Sequence, residues 1–414
     1  MPSKKDIFCG LDVGTNKIAV VVGQKNESDN PEVIGVGKVE NQGMRRGIIV
    51  DIEETISAIS AALEQAERMA GLSIEQAYVG LGGAHIESSN SKGVIAVSRA
   101  DGEISDEDMA RVIEAARAVS IPTNREIIHV IPRSYIVDGQ EGIKDPIGMT
   151  GIRLEVEAHV ISGSTPAIKN LSRCIYQAGL DIEEYVFPSL ASATYLLTKQ
   201  QKDIGVILID IGFATTTVAV FEEGDILHSK ILPIGGSHIT NDIAIGLRTS
   251  IETAEKIKIK HGDANPKNFN ENNKLDLSKL DPNEDQEISL KYVSEIIEAR
   301  LLEIFSLVQD ELKKIDRQGT MPAGVILTGG GSKLKNITEI AKEILKIPVK
   351  VGKPATELTG LVEKLNDPVY SVSTGLMLWG FGTQNSQNLK NPPSKNKINQ
   401  TTSKIKGWFK HFIP

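Results

Sequence analysis

Two stretches of this chain share one layout, and that layout constrains the fold more than any other feature. The first runs IFCGLDVGTNKIAVVVG (7–23), then PEVIGVGKVE (31–40), then a segment where Ile52, Ile56, Ile59, Leu63, Ala66 and Ala70 recur at three- and four-residue steps. That spacing predicts a helix with one apolar face. The second runs GVILIDIGFATTTVAVF (205–221), then DILHSKILPIGG (225–236), then another helix for which Ser237 is the expected N-cap. Each reads strand, short turn carrying Asp-x-Gly, strand, strand, helix. Asp12 and Gly14 stand in the first where Asp210 and Gly212 stand in the second. Two such pairs in one β-β-β-α frame predict an internal duplication and an α/β chain of two similar lobes.

Between the repeats, roughly 84–159, lies a stretch with its own punctuation. ISDEDMARVIEAARAV predicts a helix with Ser105 at the N-cap, acids in the first turn, and Met109, Val112, Ile113 and Ala116 on one face. GVIAVSR, EIIHVIPRSYIVDG and IRLEVEAHVIS read as strands around it, which makes a small α/β insert. Residues 261–285 are rich in Asn, Asp and Lys and read as a surface loop or a disordered insertion. Residues 383–403 read as a polar linker. The expected division is therefore 1–83 with 160–204 for the first lobe and 84–159 for the insert. The second-lobe core takes 205–242 with 323–382, its subdomain 243–322, and a terminal helix 404–414 follows the linker.

A formal charge of −8 with no long basic stripe excludes a general nucleic-acid binder. Cys9 and Cys174 follow neither a metal-ligand spacing nor a disulfide framework, the pattern of a reduced cytoplasmic protein. The first residues turn polar too soon for a signal peptide. No run approaches the roughly 20 apolar residues of a spanning helix.

A turn that follows a strand and presents backbone N–H groups can cradle phosphate oxygens, with glycine allowing close approach. DVGTNK supplies Asp12 for a Mg²⁺ ion or its waters, Gly14 for approach, Thr15 and Asn16 as donors and Lys17 as counter-charge. DIGFATT repeats the pattern with Asp210, Gly212, Thr215 and Thr216, without the lysine. A third element, VILTGGGSKL, runs an apolar strand into Gly329, Gly330, Gly331 and Ser332, suited to a base or ribose packed against backbone. Three such elements on a duplicated frame point to a bound nucleotide with Mg²⁺. His85, His129 and His159 have no second ligand at metal spacing and read as surface or hydrogen-bonded core groups. Cys9 reads as a small buried hydrophobe. Asp106, Glu107 and Asp108 read as helix-start charges.

The tail is a separate feature. Residues 384–414 carry six Lys and no acid, which leaves −14 on residues 1–383. On a helix, Ile405, Trp408, Phe409, Phe412 and Ile413 share an arc of about 140° at 100° per residue. Lys406 and Lys410 flank that arc on one side, Lys404 and His411 on the other. A helix this short cannot span a bilayer and is marginal in water. It suits the headgroup layer of an anionic membrane.

With its two Asp-x-Gly turns and late triple glycine the chain resembles the actin and sugar-kinase superfamily. Within it, the chain resembles the FtsA family of bacterial cell-division proteins, from about residue 7 to 382 and again at the tail. The most specific stretch is HVIPRSYIVDGQEGIKDPIGMTGIRLEVEAHVI in the insert, supported by FPSLASATYLL, PIGGSHITNDIAIGLRTSIETAEKIKIKHG and SVSTGLMLWGF. The resemblance implies an actin-like two-lobed fold, adenosine contacts from Gly235, Gly236, Glu255 and Lys258, and a nucleotide-controlled polymer. It implies anchoring of the FtsZ ring to the inner membrane face at the septum, with FtsZ meeting the second-lobe subdomain. It also implies recruitment of later divisome membrane proteins, with self-assembly and downstream contacts in the insert. Two departures count. Phe213 and Ala214 replace glycines common in the second turn. Pro188 stands where many relatives place the acid that orients the attacking water, which predicts slow or no ATP hydrolysis and a scaffold, not an enzyme. The alternative is a small-molecule kinase of the same fold, but no carboxylate stands out to take a substrate proton.

Overall fold

Ile18, Ala19, Val20, Val21 and Val22 are fully buried in one unbroken run, as a strand covered on both faces requires. They belong to Lys17–Lys25, second in an antiparallel meander of Ile7–Val13, Lys17–Lys25 and Pro31–Glu40. The computed structural model describes residues 7–118 and 122–388. Ile7–Val13 also pairs in parallel with Gln76–Gly80, which pairs in parallel with Asp181–Val186; Thr359–Gly360 closes the far edge. The helix Ile52–Ala70, capped by Asp51, covers this sheet with Ile59, Ala62, Leu63 and Ala66.

The second lobe repeats the plan. Val206–Ile211, Thr216–Glu222 and Asp225–Leu232 form an antiparallel meander, and Val206–Ile211 continues in parallel to Val325–Thr328 and then Val349–Val351. The register makes the duplication concrete. Asp12 faces Ala19 on one side and Gly80 on the other; Asp210 faces Thr217 and Thr328. Each acid sits one residue before the end of its lobe's central strand. Side chains alternate across the second sheet. Leu208, Ala219, Phe221 and Ile326 join the first lobe's core, while Ile207, Ile209, Val218 and Val220 pack against the second lobe's own helices. The helix Ser371–Asn388 buries Leu376, Met377, Leu378 and Trp379 against Ile7–Val13 and Pro188–Leu196.

In the insert, Glu87–Ala96, Arg153–Ser164, Arg125–Val137 and Gln140–Ile143 form an antiparallel sheet in that order. The helix Asp106–Arg117 packs Val112, Ile113 and Ala116 onto Tyr135, Leu154 and Val156. The three histidines are placed as hydrogen-bonded groups. His129 Nε2 accepts from Phe187 N–H at 2.9 Å, and His159 lies between Asn90 Oδ1 at 2.8 Å and Ser229 Oγ at 2.9 Å. His85 Nδ1 accepts from Ser164 N–H at 3.4 Å. Burial pushes the Cys9 thiol up to about 12.

Four expectations need correction. The first insert strand starts at Glu87, ahead of the GVIAVSR stretch. Its polar residues face partners, since Ser88 donates to the Ser229 carbonyl and Ser91 to the Ala116 carbonyl. The helix expected from Ser237 begins at Gly236 with Gly235 as N-cap, because His238 Nδ1 folds back to accept from Gly235 N–H at 3.1 Å. Residues 261–285 are not disordered. Leu275 and Leu277 are buried, Lys274–Asp276 pairs with Glu287–Ser289, and Asn265, Asp276 and Asp281 side chains accept from backbone N–H groups two residues ahead. Asn and Asp are abundant there because they build such turns. Finally, the last helix runs to Asn388, into the polar stretch read as a linker from 383. The tail residues Ile405, Lys406, Trp408, Phe409, Lys410, Phe412 and Ile413 lie outside the described residues.

Candidate functional site

At the first turn, Gly14 N–H donates to the Lys17 carbonyl at 2.9 Å, closing a tight loop. Asn41 holds it from behind, its Nδ2 donating to the Gly14 carbonyl at 2.9 Å and its backbone N–H to the Asn16 carbonyl at 3.0 Å. Thr15 Oγ1 accepts from Gly47 N–H at 2.9 Å, whereas the Asn16 side chain is exposed. Lys17 Nζ lies 2.7 Å from Asp12 Oδ2, so both proposed charges point to the same place.

The second turn is closed in the same way, Gly212 N–H donating to the Thr215 carbonyl at 2.9 Å. The following helix docks beneath it: Gly236 N–H reaches the Gly212 carbonyl at 2.9 Å and Ser237 N–H the Phe213 carbonyl at 2.7 Å. Only a glycine at 235 permits this approach, since a Cβ there would stand 2.7 Å from Gly212 O and 2.8 Å from Thr215 N. Thr216 differs from the donor expected of it. It is fully buried and its hydroxyl donates to the Ile234 carbonyl at 2.8 Å, which props the turn from below and leaves Thr215 at its rim.

The third turn meets the second. Gly329 adopts φ +79°, and a Cβ on it would fall on Asp210 Oδ1. Ser332 is buried with its hydroxyl donating to the Gly329 carbonyl at 2.7 Å, which fixes the shape of the turn. Glu255 and Lys258 form an ion pair at 2.7 Å, one helical turn apart. Lys258 Nζ also donates to the Gly236 carbonyl at 3.0 Å and to Thr240 Oγ1 at 2.7 Å. The second and third glycine turns and the Glu255–Lys258 pair are thereby tied to one another beside Asp210, and the first turn reaches them through the Asp12 charge acting on Asp210.

Asp210 is the electrostatic centre of this arrangement. Burial, and then the Asp12 charge, raises its carboxyl to about 6, against an opposing pull from Lys17. Two facing acids on separate lobes, beside glycine turns, form a donor set for a divalent cation carrying an anionic ligand. Pro188 opens the helix Pro188–Leu196, which has no acid in its first turn. The backbone braces Asn41, Gly47 and Thr240 escaped the sequence reading. Only Asn41, in an Asn-Gln-Gly turn directly after a strand, carried a local signal.

The family description "Cell division protein FtsA" matches residues 207–375, and "SHS2 domain inserted in FTSA" matches 83–162. The chain is 39% identical to the cell division protein FtsA of Borreliella burgdorferi, over 98% of each chain. It is 38% identical to that of Pseudomonas aeruginosa, over 91% of this chain and 90% of the relative. Among solved structures it is similar to a PilM-PilN type IV pilus biogenesis complex, with TM-score 0.67, 16% identity, and 90% and 98% of the two chains covered. It is also similar to MreB5 of Spiroplasma citri bound to ADP, with TM-score 0.54, 15% identity, and 94% and 100% covered. Those two likenesses establish the actin-like fold. At these identities and lengths, the chain belongs to the FtsA family of cell division proteins.

Proposed function

We propose that this protein binds ATP with Mg²⁺ between its lobes, polymerises on the cytoplasmic face of the cell membrane at the septum, and anchors the FtsZ ring there. The observation that carries the reading is the convergence of three glycine turns on Asp12 and Asp210. In this reading Gly14, Thr15, Asn16, Lys17, Gly212 and Thr215 form the phosphate side, with Thr216 propping the second turn from below. Gly235, Gly236, Glu255, Lys258 and Gly329 to Ser332 form the adenosine side. Asp12 and Asp210 hold Mg²⁺ through water. The raised Asp210 carboxyl supports this, because a bound cation relieves the repulsion between the two acids. ADP in the related MreB5 fold supports an adenine nucleotide.

Hydrolysis is slow or absent, since Pro188 offers no group to orient water; a turnover above about one per second contradicts this. Membrane attachment is assigned to Ile405, Lys406, Trp408, Phe409, Lys410, Phe412 and Ile413. Among the described residues no helix is long and apolar enough to cross a membrane. One weak anchor becomes strong when many act on one polymer. FtsZ meets residues 243–322, and the insert 84–159 carries self-assembly and contacts to later divisome proteins. Co-sedimentation with anionic liposomes, with and without ATP, tests the reading. The intact chain pellets and Trp408→Glu/Phe409→Glu stays in solution; an intact chain that stays in solution at low salt overturns it.

A further inference from the structure

Behind the Gly329–Ser332 turn lies a carboxylate with no place in the nucleotide reading. Asp263 stands two residues past the helix Ile251–His261 and is 8% exposed. Burying a carboxylate is unfavourable unless donors fill its lone pairs, and here they come from near and far. Asp263 Oδ1 accepts from Asn265 N–H at 2.8 Å and from Asn336 Nδ2 at 2.7 Å; Oδ2 accepts from Asn268 Nδ2 at 3.1 Å. Asn265 and Asn268 are local turn partners. Asn336 is 73 residues away, four past Ser332, held at φ +61° at the head of Ile337–Leu345.

Backbone contacts tighten the same junction. Asp263 and Lys335 form a parallel bridge, and Ala264 N–H donates to the Lys335 carbonyl at 2.9 Å. Ser294 Oγ donates to the Asp263 carbonyl at 2.7 Å, drawing in the long helix Leu290–Lys313. A Cβ at Gly262 would stand 2.9 Å from Leu334 Cδ1, so the two chain segments run in direct contact. One of them ends the helix that carries Glu255 and Lys258. The other leaves the Gly329–Ser332 turn.

We propose that Asp263 is a positioning residue for the adenosine side of the cleft. Its contact with Asn336 sets the spacing between the Glu255–Lys258 helix and the glycine turn, and with it the affinity for adenine nucleotides. The inference rests on the nucleotide reading above. An acceptor-only group suits this site because three donors converge on it, and the long-range donor is the one that links the two nucleotide-facing elements.

The test uses the full chain, a fluorescent ATP derivative, and competition by ATP and by inorganic triphosphate. Asn336→Asp sets two carboxylates against each other. It is expected to weaken ATP about tenfold or more while triphosphate changes less than about twofold, since the junction touches only the nucleoside side. The exchange Asp263→Asn/Asn336→Asp restores a donor facing an acceptor and is expected to regain part of that loss. If ATP and triphosphate weaken together, or the exchange binds no better than Asn336→Asp, the role is structural and the proposal falls. If the wild-type chain binds no ATP, the nucleotide reading fails by itself. The junction is then judged by hydrogen exchange at amides 329–336, which Asn336→Asp must quicken and the exchange must slow; unchanged rates overturn it. Should Asn336→Asp not fold, Asn336→Ala with the same readouts replaces it, with a smaller loss of about threefold expected.

Discussion

Asp210 of the second lobe and Asp12 of the first repel one another. Burial, then the Asp12 charge, holds the Asp210 carboxyl at about 6, while Lys17 is committed to Asp12 at 2.7 Å. The duplication that placed one acid at the end of each central strand therefore also creates an unfavourable contact. The Mg²⁺ proposed for this site would relieve that contact.

This gives a first prediction. The Asp210 carboxyl is raised above its unfolded value of about 4, so its neutral form favours the fold. That contribution is complete below about pH 4 and is lost as the pH rises through about 6. Asp210→Asn removes the charge. The nucleotide-free variant is expected to melt about 2–4 °C above wild type at pH 7.5 and level with it at pH 4.5. It also binds MgATP about tenfold more weakly through loss of a charged contact. Calorimetric melts at the two pH values check the sign, and a variant less stable than wild type at pH 7.5 contradicts it.

The second turn and the helix beneath it give another. Gly235→Ala would push its methyl group against Gly212 O, Thr215 N and Phe213 O, all within 2.9 Å and all backbone. The expected cost is about 1–3 kcal/mol, with weaker ATP binding because the second turn must shift. Gly330→Ala meets only Val369 Cγ1 at 3.7 Å and is expected to leave stability within about 0.5 kcal/mol. Urea unfolding of both variants distinguishes local crowding from a general intolerance of side chains in the glycine turns.

The sequence carried the duplicated frame because strand alternation, Asp-x-Gly and helical spacing are local signals. Asp12 and Asp210 occupy the same place in the two repeats, and Ser105 was readable as an N-cap because acids follow it in the first helical turn. What was not legible depends on contacts between distant segments. Thr216 looks like its neighbour Thr215 until the Ile234 carbonyl arrives beneath it. The strand Glu87–Ala96 looks too polar to pair until Ser88 and Asn90 meet Ser229 and His159. Asp263 reads as one more loop acid among many until Asn336 closes on it. Polar residues that serve a fold over long range share their composition with polar residues that serve nothing.

Asp108 tests the insert. Its side chain is fully buried and accepts from Ser98 and Ser105, each through both backbone N–H and hydroxyl, and from Arg111 at 2.8 Å. Burial favours the neutral form, but the hydrogen bonds from Ser105 and Ser98 outweigh it and hold the carboxyl well below its usual range. Asp108→Ala strands several donors and is expected to destabilise the insert by about 3 kcal/mol. Hydrogen exchange followed by mass spectrometry reads this locally. Amides of Asp106–Arg117 and Arg153–Ser164 are expected to exchange faster while those of Val206–Ile211 do not change. Uniform acceleration across the chain would mean the insert has no stability of its own.

His129 joins the insert to the helix that begins at Pro188, and its protonation reports on that joint. Its ring is buried and Nε2 accepts from Phe187 N–H at 2.9 Å, so a proton on Nε2 would turn an acceptor against a donor. Burial lowers its pKa to about 3, and burial does the same for His159. A base lowered in this way contributes stability that is complete above its unfolded pKa of about 6.5 and is lost as the pH falls toward about 3. Asp210 has the opposite sign between about pH 4 and 6, so the two histidines outweigh it and wild-type stability falls on acidification. His129→Gln keeps an acceptor but no titrating ring. It is expected to cost about 1–3 kcal/mol at pH 7.5 through imperfect packing. Between pH 6 and 5 the gap to wild type then closes by about 1.4 kcal/mol per pH unit, the slope of one proton. Urea unfolding at pH 7.5, 6 and 5 measures that gap. If it stays constant, His129 does not gain a proton on unfolding, and the joint between the insert and the Pro188 helix is held by something other than a neutral imidazole.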